Sequence, residues 1–201
     1  MMVKVCGITN AEDALAAVDA GAGALGFVLW AGSPRRLPQD AVARIIGQLP
    51  AGVEKVGLYV NEGATAIARS MNELGLDVAQ LHGECGMPSG VRVWKSVRIG
   101  PAFRPEEVSA GEEEAVVLDT SSPTRYGGTG ETFDWAMARG VRHRVILAGG
   151  LSQENVAEAI RVARPWGVDA SSRLERAPGL KDHGRVRAFI QAALEAASVL
   201  K

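Results

Sequence analysis

Two side chains in this sequence are suited to moving protons and stand where a chain could aim them. Cys6, in VKVCGITN (3–10), interrupts an apolar run one residue before a glycine, and Asp119 lies near the end of the otherwise apolar AVVLDT (115–120). Burial and neighbouring charge raise a carboxyl pKa, and an acid kept protonated near neutrality can donate to a leaving oxygen. A thiol of ordinary pKa near 8.5 is only about a few per cent ionised at pH 7, which still serves a general base if that fraction is well aimed. Both residues also have plainer readings. Free cysteines are commonly small core hydrophobes, and an aspartate at the end of a run can simply open a turn. Lys4, the basic residue nearest Cys6 in sequence, is expected to point the other way along an alternating strand, which leaves the activation of the thiol open.

Three glycine-bearing loops suit a phosphate. LAGGLSQENV (147–156) reads as strand, double glycine and helix start; Gly149 and Gly150 allow close backbone approach, and free N–H groups with the helix dipole favour an anion. VDASSRLERAPG (168–179) adds Ser171 and Ser172 as hydroxyl donors, followed by Arg173. YGGTGETFDW (126–135), with Gly128, is expected to close over a ligand. Singly, each cluster reads as a tight turn; together at one mouth they point to an anionic ligand. In AGSPRRL (31–37), Arg35 and Arg36 offer guanidinium forks for a carboxylate or phosphate. His82 in QLHGE (80–84) could orient a substrate or only bond locally.

The elements that must position these residues alternate along the chain. Apolar, valine-rich runs lie at 3–8, 23–29, 54–60, 77–83, 91–97, 115–120, 144–150 and 166–171. Their near-continuous hydrophobicity fits strands covered on both faces. Between them, 11–20 follows the cap residue Asn10; 152–163 opens with Ser152 and carries Val156, Ala159, Ile160 and Ala163 on one stripe. Residues 183–197 place Val186, Phe189, Ile190, Ala193 and Leu194 on one side, whereas 84–90 and 98–114 offer little helix. Eight such strands with seven crossovers predict an α/β fold, a compact single-domain (β/α)8 TIM barrel over 1–201 with short loops. An open doubly wound sheet competes, but the first strand–helix turn lacks GxGxxG. In a barrel the site lies at the strands' C-terminal ends, which gathers Cys6, His82, Lys95, Asp119, Gly149–Gly150 and Asp169–Arg173 at one mouth.

Composition bounds the partners. The 201 residues carry a net charge of −1 without charge runs, so neither nucleic acid nor a basic partner is indicated. Two cysteines, Cys6 and Cys85, make no disulfide framework, and three histidines argue against a histidine-rich metal centre. The start MMVKVCGITN does not read as a signal peptide and no apolar run suits a membrane span, so a cytoplasmic protein is expected.

Taken in order, VKVCGIT, SPRR, GLYVN, QLHGE, VLDT, GGTGETFDW, LAGGLSQENV and VDASSRLERAPGLKD resemble the phosphoribosylanthranilate isomerases of tryptophan biosynthesis, over residues 3–182. The resemblance implies an Amadori rearrangement of an aminoaldose phosphosugar to an aminoketose, with neither cofactor nor metal. It implies that Asp119 is the general acid at the ribose ring oxygen and Cys6 the base at C2. It sets Arg35 toward the anthranilate end and the loops at 149–150 and 171–173 around the phosphate. Where the family pattern has glycine this chain has Arg173, and where it often has lysine this chain has Glu131. Rival barrels fit less well: indole-glycerol-phosphate synthase needs a catalytic lysine at a strand end, ribulose-phosphate epimerase needs metal-binding histidines, and the histidine-pathway isomerases use paired aspartates. A non-catalytic phosphosugar-binding barrel would not need both proton-transfer groups. Monomer and homodimer are both open.

Overall fold

The computed structural model describes residues 1–100, 102–108, 111–120 and 132–200. Eight parallel strands close into a barrel in sequence order: β1 (Met2–Cys6), β2 (Ala24–Val28), β3 (Glu54–Val60), β4 (Val78–His82), β5 (Arg92–Ile99), β6 (Ala115–Thr120), β7 (Val145–Leu147) and β8 (Gly167–Ala170). Pairing of β1 with both β2 and β8 completes the ring. Every expected strand is present, most of them trimmed at their ends; β1 starts one residue before its run, at Met2, and β5 continues two residues past its run, to Ile99. The barrel, not the open sheet, is the fold.

Alternation along the strands divides the buried residues into two layers. Outward-facing Val3, Val5, Leu25, Phe27, Ala79, Leu81, Val116, Leu118, Leu147 and Val168 pack in one large cluster with the helices. Inward-facing Ala24, Val56, Val78, Trp94, Ala115, Val117, Ile146 and Ala148 form a second cluster inside the barrel. Fully buried Trp94 meets the ring of Trp166 edge to face, with centroids 6.0 Å apart. This apolar plug makes the barrel a packed body rather than a pore. Along the same inward face lie polar residues: Lys4, Gln80, His82 and Asp169, all buried.

The crossovers are uneven. Helices α1 (Ala11–Asp19), α2 (Gln39–Ile46), α3 (Ala64–Leu74), α4 (Val156–Ala163) and α5 (His183–Ser198) cover the barrel. The connection from β4 to β5 has no helix, and those after β5 and β6 have among their described residues only the 3-10 turns Pro105–Glu107 and Trp135–Gly140. Asn10 caps α1 as expected, its side chain accepting from the Asp13 N–H at 2.7 Å. Two helix expectations need correction. Helix α4 begins at Val156, because Ser152 and Asn155 hold the preceding residues in a turn: Asn155 Oδ1 accepts from Ser152 N–H at 2.8 Å and Ser152 Oγ accepts from Glu154 N–H. In α5, Val186, Phe189, Ile190 and Ala193 are buried, but Leu194 is exposed. After β8, a short ribbon of β9 (Glu175–Ala177) and β10 (Leu180–Lys181) folds against the barrel mouth. Among the described residues, no helix is long and apolar enough to cross a membrane.

Candidate active site

At the C-terminal ends of the strands a cavity is lined by Cys6, Arg35, His82, Asp119, Gly149, Gly150, Ser171, Ser172 and Arg173, together with Gln80 and Asp169. Nine of the residues singled out from the sequence therefore meet in one place; Arg36, beside Arg35, does not line it. Gly128, like Glu131, lies outside the described residues. Lys95 does not join them: one position from inward-facing Trp94, its side chain is exposed on the outside.

Asp119 is the penultimate residue of β6, at the register position of Arg98 on β5. Its pKa is pushed up to about 6, first by burial and then by the charge of Asp169, against the pull of the Thr120 N–H, Lys4 and Arg98. A carboxyl so placed holds its proton into the range where a general acid is useful.

Cys6 ends β1, and its backbone is pinned from two sides. The Cys6 carbonyl accepts from Lys181 Nζ at 2.6 Å and from Ser171 Oγ at 2.9 Å. Its sulfur lies beside Lys4, contrary to the expectation from sequence. Positions 4 and 6 share parity, so both side chains enter the barrel, as strand geometry requires. Lys4 is wholly buried and donates to Asp169 Oδ2 at 2.9 Å, its register partner on β8. Gly26 on β2 makes room for both tips: a Cβ there would stand 2.6 Å from Cys6 Sγ and 3.1 Å from Lys4 Nζ. Burial drives the thiol pKa up, and the ammonium of Lys4 is the strongest opposing influence.

At the other end, Gly149 turns the chain with φ +81°, and a Cβ there would strike Thr120 Oγ1 and the Thr120 backbone nitrogen at 2.3 and 2.7 Å. Only glycine fits this close approach. Asn155 Nδ2 ties the loop by donating to the Gly150 carbonyl at 3.0 Å. Opposite stand Ser171 and the single 3-10 turn Ser172–Leu174, which carries Arg173.

The two remaining candidates have local partners. His82 is buried, and Nε2 accepts from Gln80 Nε2 at 3.0 Å and lies 2.9 Å from Ser96 Oγ. Burial together with the charges of Lys4 and Arg98 lowers its pKa to about 3, so it presents a neutral ring to the cavity. Arg35 does reach the cavity, but its fork holds Glu175: Nε and Nη2 donate to the two carboxylate oxygens at 2.8 and 2.7 Å. Lys181 donates to the same carboxylate at 2.9 Å. Asp169, expected at the mouth, is there, and Glu175, Lys181, Lys4 and Gln80 join the site without a role foreseen from the sequence. Among the described residues, no group of three or more His, Cys, Asp or Glu is placed to hold a metal ion.

Known proteins are similar to this chain in sequence and in fold. Residues 3–192 match the family described as N-(5'phosphoribosyl)anthranilate (PRA) isomerase. An N-(5'-phosphoribosyl)anthranilate isomerase of Pelobacter propionicus is 47% identical over 202 residues, covering 98% of this chain and 97% of that relative. The crystal structure of a phosphoribosyl anthranilate isomerase from Thermus thermophilus superposes with a TM-score of 0.88 at 37% identity, covering 97% and 99% of the two chains. Another phosphoribosyl anthranilate isomerase, solved in complex with reduced 1-(o-carboxyphenylamino)-1-deoxyribulose 5-phosphate, gives a TM-score of 0.84 at 35% identity over 97% and 99%.

Proposed function

The chain belongs to the N-(5'-phosphoribosyl)anthranilate isomerase family, and on that premise we propose how its own residues divide the reaction. The reaction is the aldose–ketose isomerisation of N-(5'-phosphoribosyl)anthranilate in tryptophan biosynthesis. Asp119 is the general acid. It protonates the ribose ring oxygen, C1–O breaks, and the anilino nitrogen supplies the electron pair that leaves an open-chain protonated imine at C1. Cys6 is the general base. Its thiolate removes the proton from C2, now acidified by the adjacent iminium, and the C–H electron pair becomes the C1–C2 double bond of an enolamine. Tautomerisation to the 2-ketone completes the step. No strong nucleophile is called for, since the iminium lowers the barrier to deprotonation.

The phosphate end of the substrate is assigned to the Gly149–Gly150 turn, Ser171, Ser172 and Arg173, where backbone N–H groups, hydroxyls and one guanidinium converge on the cavity. The anthranilate carboxylate is assigned to Arg35, which meets it with the guanidinium edge that Glu175 does not occupy. His82, neutral and bonded to Gln80 and Ser96, shapes the wall without exchanging protons. A biosynthetic phosphosugar isomerase of this kind works in the cytoplasm, and the whole chain 1–201 is read as one domain.

The observation that carries this reading is the pairing of Cys6 with an Asp119 carboxyl raised to about 6 on one cavity. The test is loss of N-(5'-phosphoribosyl)anthranilate fluorescence with purified protein. Cys6→Ala and Asp119→Asn should each lower kcat by ~10²-fold or more. Near-normal turnover in Cys6→Ala removes the role given to the thiol.

A further inference from the structure

The thiol assigned as base has an unfavourable setting. Buried, it is pushed above its ordinary pKa, while its partner acid sits near 6. The form of the free enzyme with the acid protonated and the base ionised is then a minor one between the two pKa values. Any group that favours the thiolate acts directly on this fraction.

We propose that Lys4 is a positioning residue for this reaction: its ammonium, held by Asp169 inside the barrel, faces the Cys6 sulfur and favours the thiolate that removes the substrate proton. The inference rests on the assignment of Cys6 as base. Four observations carry it. Lys4 and Cys6 project from one face of β1, and their tips converge over the space left by Gly26. Lys4 has no exposure to solvent, so its charge acts through a medium that screens it little. Its distance to Asp169 Oδ2 is 2.9 Å, which fixes the ammonium in place. The other Asp169 oxygen has no hydrogen-bond partner among the described residues, although the atom is buried and the residue lines the cavity.

This pair is also a poor way to stabilise a barrel. Desolvating two charges is costly, their attraction does little more than offset it, and apolar residues of the same volume often do as well or better. The plug beside it is built from such residues, Val56, Val78 and Ile146 among them. A function for the charge at Cys6 accounts for its presence where packing does not.

Other charges face the same sulfur. Lys181 from the β9–β10 ribbon and Arg35 from the loop after β2 act in the same direction as Lys4, and Asp169 acts against it. Of these cations Lys4 bears on the thiol most strongly. Its charge also bears on Asp119 and His82, where Arg98 acts with it. Lys4 does not exchange a proton in the step. The C2–H bond breaks, the S–H bond forms, and the ammonium loses only the negative partner it had favoured.

The test is the pH dependence of Cys6 alkylation by iodoacetamide, read by peptide mass spectrometry so that Cys6 and Cys85 are distinguished. It uses the full chain, Lys4→Met, and Lys4→Met combined with Asp169→Leu. The double variant removes both buried charges and keeps the interior neutral if the single variant folds poorly. In Lys4→Met the midpoint of Cys6 alkylation should rise by about one pH unit or more, ten-fold less thiolate at a given pH, with kcat falling and KM little changed; in the double variant it should still rise, by less, because the opposing charge of Asp169 is gone as well. A role in packing alone predicts an alkylation midpoint at the wild-type value in Lys4→Met and in the double variant alike, and that result overturns the proposal. Full turnover by Cys6→Ala would instead remove the assignment of the base while leaving the alkylation result as evidence on Lys4.

Discussion

Replacing the Asp119 carboxyl with an amide should stabilise the protein while it abolishes most of the activity. In the folded chain this carboxyl moves from its ordinary 3.8 to about 6. The native state therefore holds the Asp119 proton more tightly than the unfolded chain does. Stability falls as pH rises from 3.8 through about 6, and above that the full cost of the buried carboxylate persists. At 1.36 kcal/mol per pKa unit, that cost is about 3 kcal/mol. The amide of Asp119→Asn would keep the shape and could still accept from the Thr120 N–H, but it carries no charge to desolvate. Thermal melts of the wild-type chain and Asp119→Asn across pH 4 to 8 measure the difference. Near pH 4 the two should melt within a few degrees of each other. By pH 8 the variant should melt higher, by about 6–12 °C for a chain of this size. Asp169, whose pKa is also raised, keeps its own burial in both proteins, and its repulsion of the Asp119 carboxylate is part of the difference being measured. A Tm difference that stays constant from pH 4 to 8 would show that Asp119 is not a desolvated acid, and the reasoning for its catalytic role would fail with it.

Gly149→Ala should raise KM by ten-fold or more with a smaller effect on kcat, because its Cβ collides with Thr120 and its φ of +81° suits glycine; steady-state kinetics separate the two parameters. His82→Gln should leave the inflections of the kcat/KM profile between pH 5 and 9 where they are. A ring with a pKa near 3 contributes none of them, so a shifted or missing limb in that range would mean that His82 titrates in the reaction.

Much of this architecture was legible in the residues. Valine-rich runs of strand length marked all eight strands because a parallel barrel buries both faces of its strands. Cys6 and Asp119 stood out because each places a reactive group at the end of such a run. Helices α2 and α3 had less to mark their starts, since the residues before them, Pro38 and Gly63, make no side-chain cap. Helix α4 starts late because the Ser152–Asn155 side chains bond the backbone locally and delay it. The partner of Arg35 was hidden by distance: Glu175 lies 140 positions away on a ribbon of three- and two-residue strands, too short to carry a pattern. Lys4 was different. A lysine inside a valine run, two positions from a cysteine, must share its face, and an aspartate in the run VDA offers the matching charge. Charged residues of like parity inside otherwise apolar strands are the signal that finds a polar barrel interior.

The division of labour between the two proton-transfer groups is tested most directly by following deuterium at ribose C2 of N-(5'-phosphoribosyl)anthranilate in single-turnover experiments. The wild-type chain should release the label as it forms the ketose, while Cys6→Ala should retain it on the sugar even when ring opening is allowed. Loss of the C2 label from Cys6→Ala at the wild-type rate would contradict the assignment of Cys6 as the base.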